Sequence, residues 1–278
     1  MDVLTVRNLV KCYEGFQLHD VGFSVRRGEI MGFIGRNGAG KTTTLRSIMN
    51  FVHPDGGDVR IFGKSPSTDE REIKQRIAFV SGGANNYMQK SLNAITSVTR
   101  GFYANWDDAA YAKWMRLFSL DGDKTPAKLS DGMRVKYALA LALSHRAEFF
   151  ILDEPTSGLD PVSREELLDI FLELTRQGAT ILFSTHITSD LEKCADRITY
   201  IKEGSIIASQ ELDSFIDAYR RVELPEMPMQ QAIAEKLIGA KPARQGCSAL
   251  VRSVDAGLFP GVCHECTLDD IMVHFERE

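Results

Sequence analysis

The chain has 278 residues, 44% hydrophobic and 26% charged, which excludes disordered, collagenous and coiled-coil chains and leaves room for a sizeable core. Its 33 Lys and Arg against 38 Asp and Glu give a net charge of −5, which argues against a dedicated nucleic-acid binder. No apolar run approaches the ~18 residues of a membrane span, and the start carries an early Asp2 and no long apolar segment. The expectation is a soluble chain without a signal peptide. The scattered Cys12, Cys194, Cys247, Cys263 and Cys266 fit a reducing compartment better than a disulfide framework.

Alternation predicts strands at residues 3–6 and 21–25, and the run Ile30-Met31-Gly32-Phe33-Ile34 reads as a buried strand. That strand runs into a glycine-rich loop and a helix over 42–51, followed by strands at 59–62 and 77–80. The text then changes character. Helices are expected at 92–102, 109–118 and 133–144, a helical insertion of about 83–146. Strand and helix alternate again afterwards: strands at 149–152, 180–184 and 198–201, helices at 162–177 and 187–194. Such alternation implies a mostly parallel sheet with its ligand loops at the carboxyl edge. Beyond about residue 220, Pro225, Pro228, Pro242 and Pro260 break the chain into short pieces. Strands at 222–224 and 248–252 and helices at 229–237 and 268–275 predict a small α+β extension.

Gly35-Arg36-Asn37-Gly38-Ala39-Gly40-Lys41-Thr42 fits the phosphate-loop pattern, with an apolar strand before it and a helix after it. Glycines let backbone N–H groups turn toward phosphate oxygens, and the helix N-terminus adds partial positive charge. Lys41 is expected on the β- and γ-phosphates, with Thr42 offering its hydroxyl to Mg²⁺. Phe149-Phe150-Ile151-Leu152-Asp153-Glu154 is a buried strand ending in two acids. Asp153 is expected to hold Mg²⁺ and Glu154 to polarise the attacking water as general base.

Between these motifs stands Leu129-Ser130-Asp131-Gly132-Met133; after them come Ser157-Gly158-Leu159-Asp160 and Ser184-Thr185-His186. With Tyr13 upstream of the loop, the five motifs follow the order of the ABC transporter nucleotide-binding subunits, which residues 1–220 resemble. The resemblance implies an α/β fold: a P-loop NTPase core with a RecA-like, mostly parallel sheet, an antiparallel β subdomain and the helical insertion. Residues 221–278 would form the small accessory domain. It also implies that two subunits sandwich two ATPs head to tail. Lys41, Thr42, Asp153, Glu154 and His186 would act on the subunit's own nucleotide, with Gly35, Asn37, Gly38, Ala39, Gly40 and Thr43 around its phosphates and Tyr13 stacked on adenine. Ser130 and Gly132 would contact the γ-phosphate held by the partner, and Asp160, in the stretch that looks like the family's D-loop, would be among the nucleotide-binding residues.

Three positions depart from the family's pattern. Gly82 stands where the family has a glutamine, so either Asn85 or Asn86 substitutes or that contact is missing. Asp131 replaces a glycine and Met133 a glutamine; a carboxylate there repels phosphate unless it turns outward, although acids favour a helix's first turn. The wording of the motifs is most similar to ATPases of bacterial ABC-2-type exporters of drugs and peptides, including antimicrobial and phenol-soluble-modulin-type peptides. The resemblance therefore implies a peripheral protein on the cytoplasmic face of the cell membrane, bound through its helical insertion to a separate transmembrane permease. Its second nucleotide-binding subunit would be a like or an unlike chain. The competing readings are a degenerate regulatory subunit with slow turnover and a soluble ATPase acting on nucleic acid. Cys263-His264-Glu265-Cys266 lacks a second cysteine pair and reads as a turn with two incidental thiols rather than a metal site.

Overall fold

The computed structural model describes residues 1–81, 87–225, 231–244 and 246–277. The elements in chain order are β1 (Asp2–Tyr13), β2 (Phe16–Arg26), β3 (Ile30–Ile34), α1 (Lys41–Ile48), β4 (Gly56–Ile61), α2 (Glu70–Arg76), β5 (Ile77–Ser81), α3 (Leu92–Thr99), α4 (Asp108–Leu117), α5 (Asp131–Ser144), β6 (Phe149–Asp153), α6 (Pro161–Arg176), β7 (Thr180–Thr185) and α7 (Thr188–Cys194). There follow β8 (Arg197–Lys202), β9 (Ser205–Glu211), α8 (Leu212–Asp217), β10 (Tyr219–Leu224), α9 (Gln231–Ala234), β11 (Ile238–Pro242), β12 (Cys247–Arg252), β13 (Cys263–His264) and α10 (Leu268–Phe275). Among the described residues no helix is long and apolar enough to cross a membrane.

A six-stranded sheet runs β5-β6-β7-β3-β8-β9, parallel throughout except for the antiparallel edge strand β9. Every residue of β3, β6 and β7 is buried. That explains their continuous apolar text, since a parallel sheet is covered on both faces. One face packs on α5, α6 and α7; the other meets α1 and an antiparallel sheet β2-β1-β4. A third sheet, β11-β12-β10-β13, belongs to the C-terminal segment. It is not isolated: Leu250, Leu268 and Ile271 lie in the same hydrophobic cluster as the helices of the main sheet.

Several expectations are corrected at their ends. The helix expected over 42–51 stops at Ile48, because Asn50 takes the left-handed conformation (φ 56) that closes helices. The stretch expected as one helix over 92–102 is α3 followed by a 3₁₀ turn, Arg100–Phe102. The helix expected over 229–237 is short: α9 gives way to β11, and residues 226–230 lie outside the described residues. Five elements were not foreseen, α2, β9, α8, β11 and the two-residue strand β13. The signal for β9 is the Glu203-Gly204 turn, where both residues have positive φ and Lys202 pairs with Ser205 as in a type I′ hairpin.

Candidate nucleotide site

Register sets the site. In the order β6-β7-β3, Asp153 lies beside Ser184 and Ile34 beside Thr185, so three strands end level with one another. Their carboxyl ends carry the acid pair, His186 and the glycine loop respectively.

The loop starts where Gly35 leaves β3. A Cβ on Gly35 would sit 2.3 Å from the Ile201 carbonyl oxygen, so β8 excludes any side chain there. Gly40 (φ 115) caps α1 in a conformation that favours glycine, and a Cβ would press on Leu18 and Phe16. Lys41, the first residue of α1, is buried. Its Nζ donates to the Gly35 carbonyl at 2.7 Å and the Arg36 carbonyl at 3.3 Å, and lies 3.3 Å from Glu154 Oε1. Thr42 Oγ1 donates to Asp153 Oδ1 at 3.2 Å.

Glu154 sits just past β6 at positive φ (52), a strained setting for a residue with a Cβ. Its N–H donates to both the carbonyl and the hydroxyl oxygen of Ser184, each at 3.1 Å. Its carboxylate is clamped: Oε1 faces Lys41, and Oε2 meets His186 Nδ1 at 2.8 Å. An ionised carboxylate only accepts, so Nδ1 carries the proton and the ring is turned by Glu154. Ser184 also donates to Asp153 Oδ1 at 2.7 Å, so one hydroxyl locks both acids. Sequence reasoning quoted Ser184 without a role; its signal was a small polar residue ending an otherwise apolar strand.

An open cleft of about 510 Å³ lies over the loop, lined by Arg36, Asn37, Gly38, Gly40, Lys41, Thr42, Thr43 and Glu154. Ala39 belongs to the same loop, but its side chain packs in the core. The aromatic residue on the cleft wall is Phe16. Tyr13, paired with Phe16 across the β1–β2 hairpin, is exposed, with the Lys11 ammonium 5.5 Å from its ring centre. Sequence reasoning overlooked Phe16, whose signal is its place beside the Glu14-Gly15 turn.

Ser130, Gly132 and Asp160 are not part of this cleft. Ser130 caps α5, accepting the Met133 N–H, and Gly132 is buried where a Cβ would lie 3.4 Å from Leu159. Asp131 does turn aside: its carboxylate pairs with Arg134 at 2.7 Å. Asp160 caps α6, accepting N–H bonds from Val162 and Ser163 and the Ser163 hydroxyl at 2.6 Å. Those bonds, the Ser163 hydroxyl first, hold its carboxyl below the usual range. Gly82, Asn85 and Asn86 lie outside the described residues. The thiols of Cys263 and Cys266 point at backbone carbonyls, and burial raises both above the usual thiol range. No metal-binding cluster of His, Cys, Asp and Glu occurs among the described residues.

A glycine cradle at a helix N-terminus, a buried lysine and a strand-end acid pair define a P-loop ATPase. Residues 18–157 match the family model described as ABC transporter, and the chain belongs to that family. It is 31% identical over 215 residues to the bacitracin transport ATP-binding protein BcrA of Bacillus licheniformis, covering 76% of this chain and 70% of that one. It is 33% identical over 218 residues to the Nod factor export ATP-binding protein I of Burkholderia orbicola (strain AU 1054), covering 76% of this chain and 72% of that one. A solved structure described as the ATP binding subunit of an ABC transporter superposes with a TM-score of 0.69 at 30% identity, over 76% of this chain and 91% of that one. The protein is thus an ATP-binding, ATP-hydrolysing subunit of an ABC transporter, similar to subunits named for export.

Proposed function

We propose that this subunit powers a bacterial exporter of peptides or drugs through a separate transmembrane permease on whose cytoplasmic side it sits. The observation that carries the reading is the clamp of Glu154 between Lys41 and His186 at the level where β3, β6 and β7 end. Lys41 is poised to exchange Glu154 and two carbonyls for phosphate oxygens. Glu154, once released, keeps His186 as its partner and takes a proton from the attacking water. Ser184 holds the backbone that aims it.

Thr42 Oγ1 and Asp153 Oδ1, 3.2 Å apart, are an oxygen pair of the kind Mg²⁺ selects, and they would hold that ion. When bound, the ion offsets charge on the β- and γ-phosphates. Glu154 Oε1 lies 3.3 Å from Lys41 Nζ but makes no hydrogen bond, which suits a group that gives up the lysine when phosphate arrives.

Residues 1–220 act as the cassette and 221–278 as the accessory domain. Two cassettes close on two ATPs. Ser130 and Gly132 meet the nucleotide of the partner cassette, and Asp160 lies at the same seam. This accounts for their distance from the cleft and for the free N–H groups at the start of α5. Export is supported by the relatives' names, and peptide or drug cargo by the resemblance of the motifs. The permease has a surface to grip: a groove of about 630 Å³ between α2 and the end of α3, with Phe102 exposed beside it.

The test is affinity capture of the tagged protein from detergent-solubilised membranes of its host, followed by ATPase assay of the recovered complex. A stoichiometric multi-spanning partner and turnover abolished by Glu154→Gln are expected. Recovery without a membrane partner contradicts the reading.

A further inference from the structure

The last helix lies alongside the nucleotide machinery. At its start, the Leu268 N–H donates to Glu192 and Thr188 Oγ1 donates to Asp269 at 3.4 Å; both partners lie on α7, which follows His186. Thr267 and Asp270 close a capping box there, and Arg221 of β10 reaches Asp270 at 3.1 Å. At its end, Lys202 donates to the Phe275 carbonyl at 2.7 Å, and Phe275 packs among Tyr200, Phe215 and Tyr219. The helix is therefore fixed at both ends.

Its next residue is Glu276. Fully buried Tyr200 donates to Glu276 Oε1 at 2.9 Å, and burial keeps that phenol protonated. Glu276 Oε2 lies 3.7 Å from Arg36 Nη1. Arg36 is the second residue of the phosphate loop, and its side chain is 66% exposed, free to choose sides. Two open spaces flank it: the nucleotide cleft, and a second cavity of about 470 Å³ lined also by His19, Glu203 and Glu276. The guanidinium faces the second. A 3.7 Å pair whose arginine is exposed contributes little to stability, so Glu276 does not hold the fold through Arg36.

We propose that Glu276 is a positioning residue that holds Arg36 away from the nucleotide cleft, so that the C-terminal helix restrains the affinity of the site for ATP. The inference rests on the cleft over the glycine loop being the ATP site. A freed guanidinium adds a fork of donors for phosphate oxygens.

The experiment is calorimetric titration of the full chain with ATP and with adenosine, in EDTA so that no turnover occurs. Glu276→Gln keeps an oxygen for the Tyr200 hydroxyl and removes the charge. It is expected to lower the Kd for ATP by about fivefold, with adenosine unchanged. In an Arg36→Gln background the same change is expected to do nothing. A Kd unchanged or raised by Glu276→Gln overturns the proposal. So does a gain that persists without Arg36, which would be bulk charge alone, or one shared by adenosine, which would be loosened structure. If Glu276→Gln unfolds, equal ATP affinity in wild type and Arg36→Met supports the restraint, and weakening by Arg36→Met contradicts it. Undiminished ATP binding in Lys41→Ala would instead overturn the underlying placement of the site.

Discussion

At the phosphate loop, Lys41, Glu154 and His186 meet across the ends of three strands, whereas at the start of α5 Ser130 and Asp131 bond within their own turn. Ser130 caps, Asp131 pairs with Arg134 three residues on, and Asp160 caps the neighbouring helix. The first region spends its side chains on one another and aims them into a cleft. The second spends its side chains on local geometry and leaves helix N–H groups as what it can offer. On the reading proposed above, a chemical centre and an anion-reading surface are built from the same vocabulary of small polar residues, separated by what their partners are, and the second surface gains its ligand from another subunit.

The comparison breaks most sharply at Lys41. Lys41→Ala is expected to abolish measurable ATP binding in calorimetry, because it removes the cation that faces the phosphates and leaves Glu154 Oε1 without its counter-charge. Glu154→Gln should cut turnover by about 10²–10⁴-fold in a steady-state assay of the transporter complex, with ATP binding retained or tightened. A fall in affinity comparable to the fall in turnover would place Glu154 in binding instead. Ser184→Ala removes the hydroxyl shared by both acids, and turnover should fall by more than affinity.

At the second region the expected effects are on stability. Ser130→Ala loses an N-cap, about 1 kcal/mol in a denaturant titration, and Asp160→Ala lowers stability in the same way, while ATP affinity of the isolated subunit stays unchanged. The Asp160 contribution carries a pH signature. Its folded carboxyl titrates below the ordinary range, so the stabilisation is present above that range and disappears as pH falls through the folded value. The stability gap between wild type and Asp160→Asn should therefore close in acid; a gap independent of pH would contradict the assignment. Asp131→Asn is the smallest change expected, a few tenths of a kcal/mol from one exposed pair.

How legible these regions were follows from their physics. The strand, glycine loop and helix from Ile30 onward could be read because continuous burial, left-handed glycines and a phosphate-binding lysine each leave a mark in the text. The same holds for the acid pair after Phe149 to Leu152. Ser184 and Phe16 were not legible as site residues, since their roles depend on register: Ser184 matters because β7 lies beside β6, and Phe16 because a hairpin folds it over the loop. Edge strand β9 was missed because a half-buried strand shows only Ile206 and Ile207 as apolar signal. The C-terminal segment was legible as short pieces but not as a neighbour of the phosphate loop. The contact between Glu276 and Arg36 joins residues far apart in sequence, and no local pattern records it.

The measurement that bears most directly on this account is the ATPase rate of the permease-bound complex with wild-type subunit and with Glu154→Gln, alongside ATP binding by both. The account predicts turnover lost with binding kept, because Glu154 handles the water while Lys41 and the glycine loop hold the phosphates. Equal turnover in the two complexes would contradict it, showing that the clamp of Glu154 between Lys41 and His186 is not the catalytic centre.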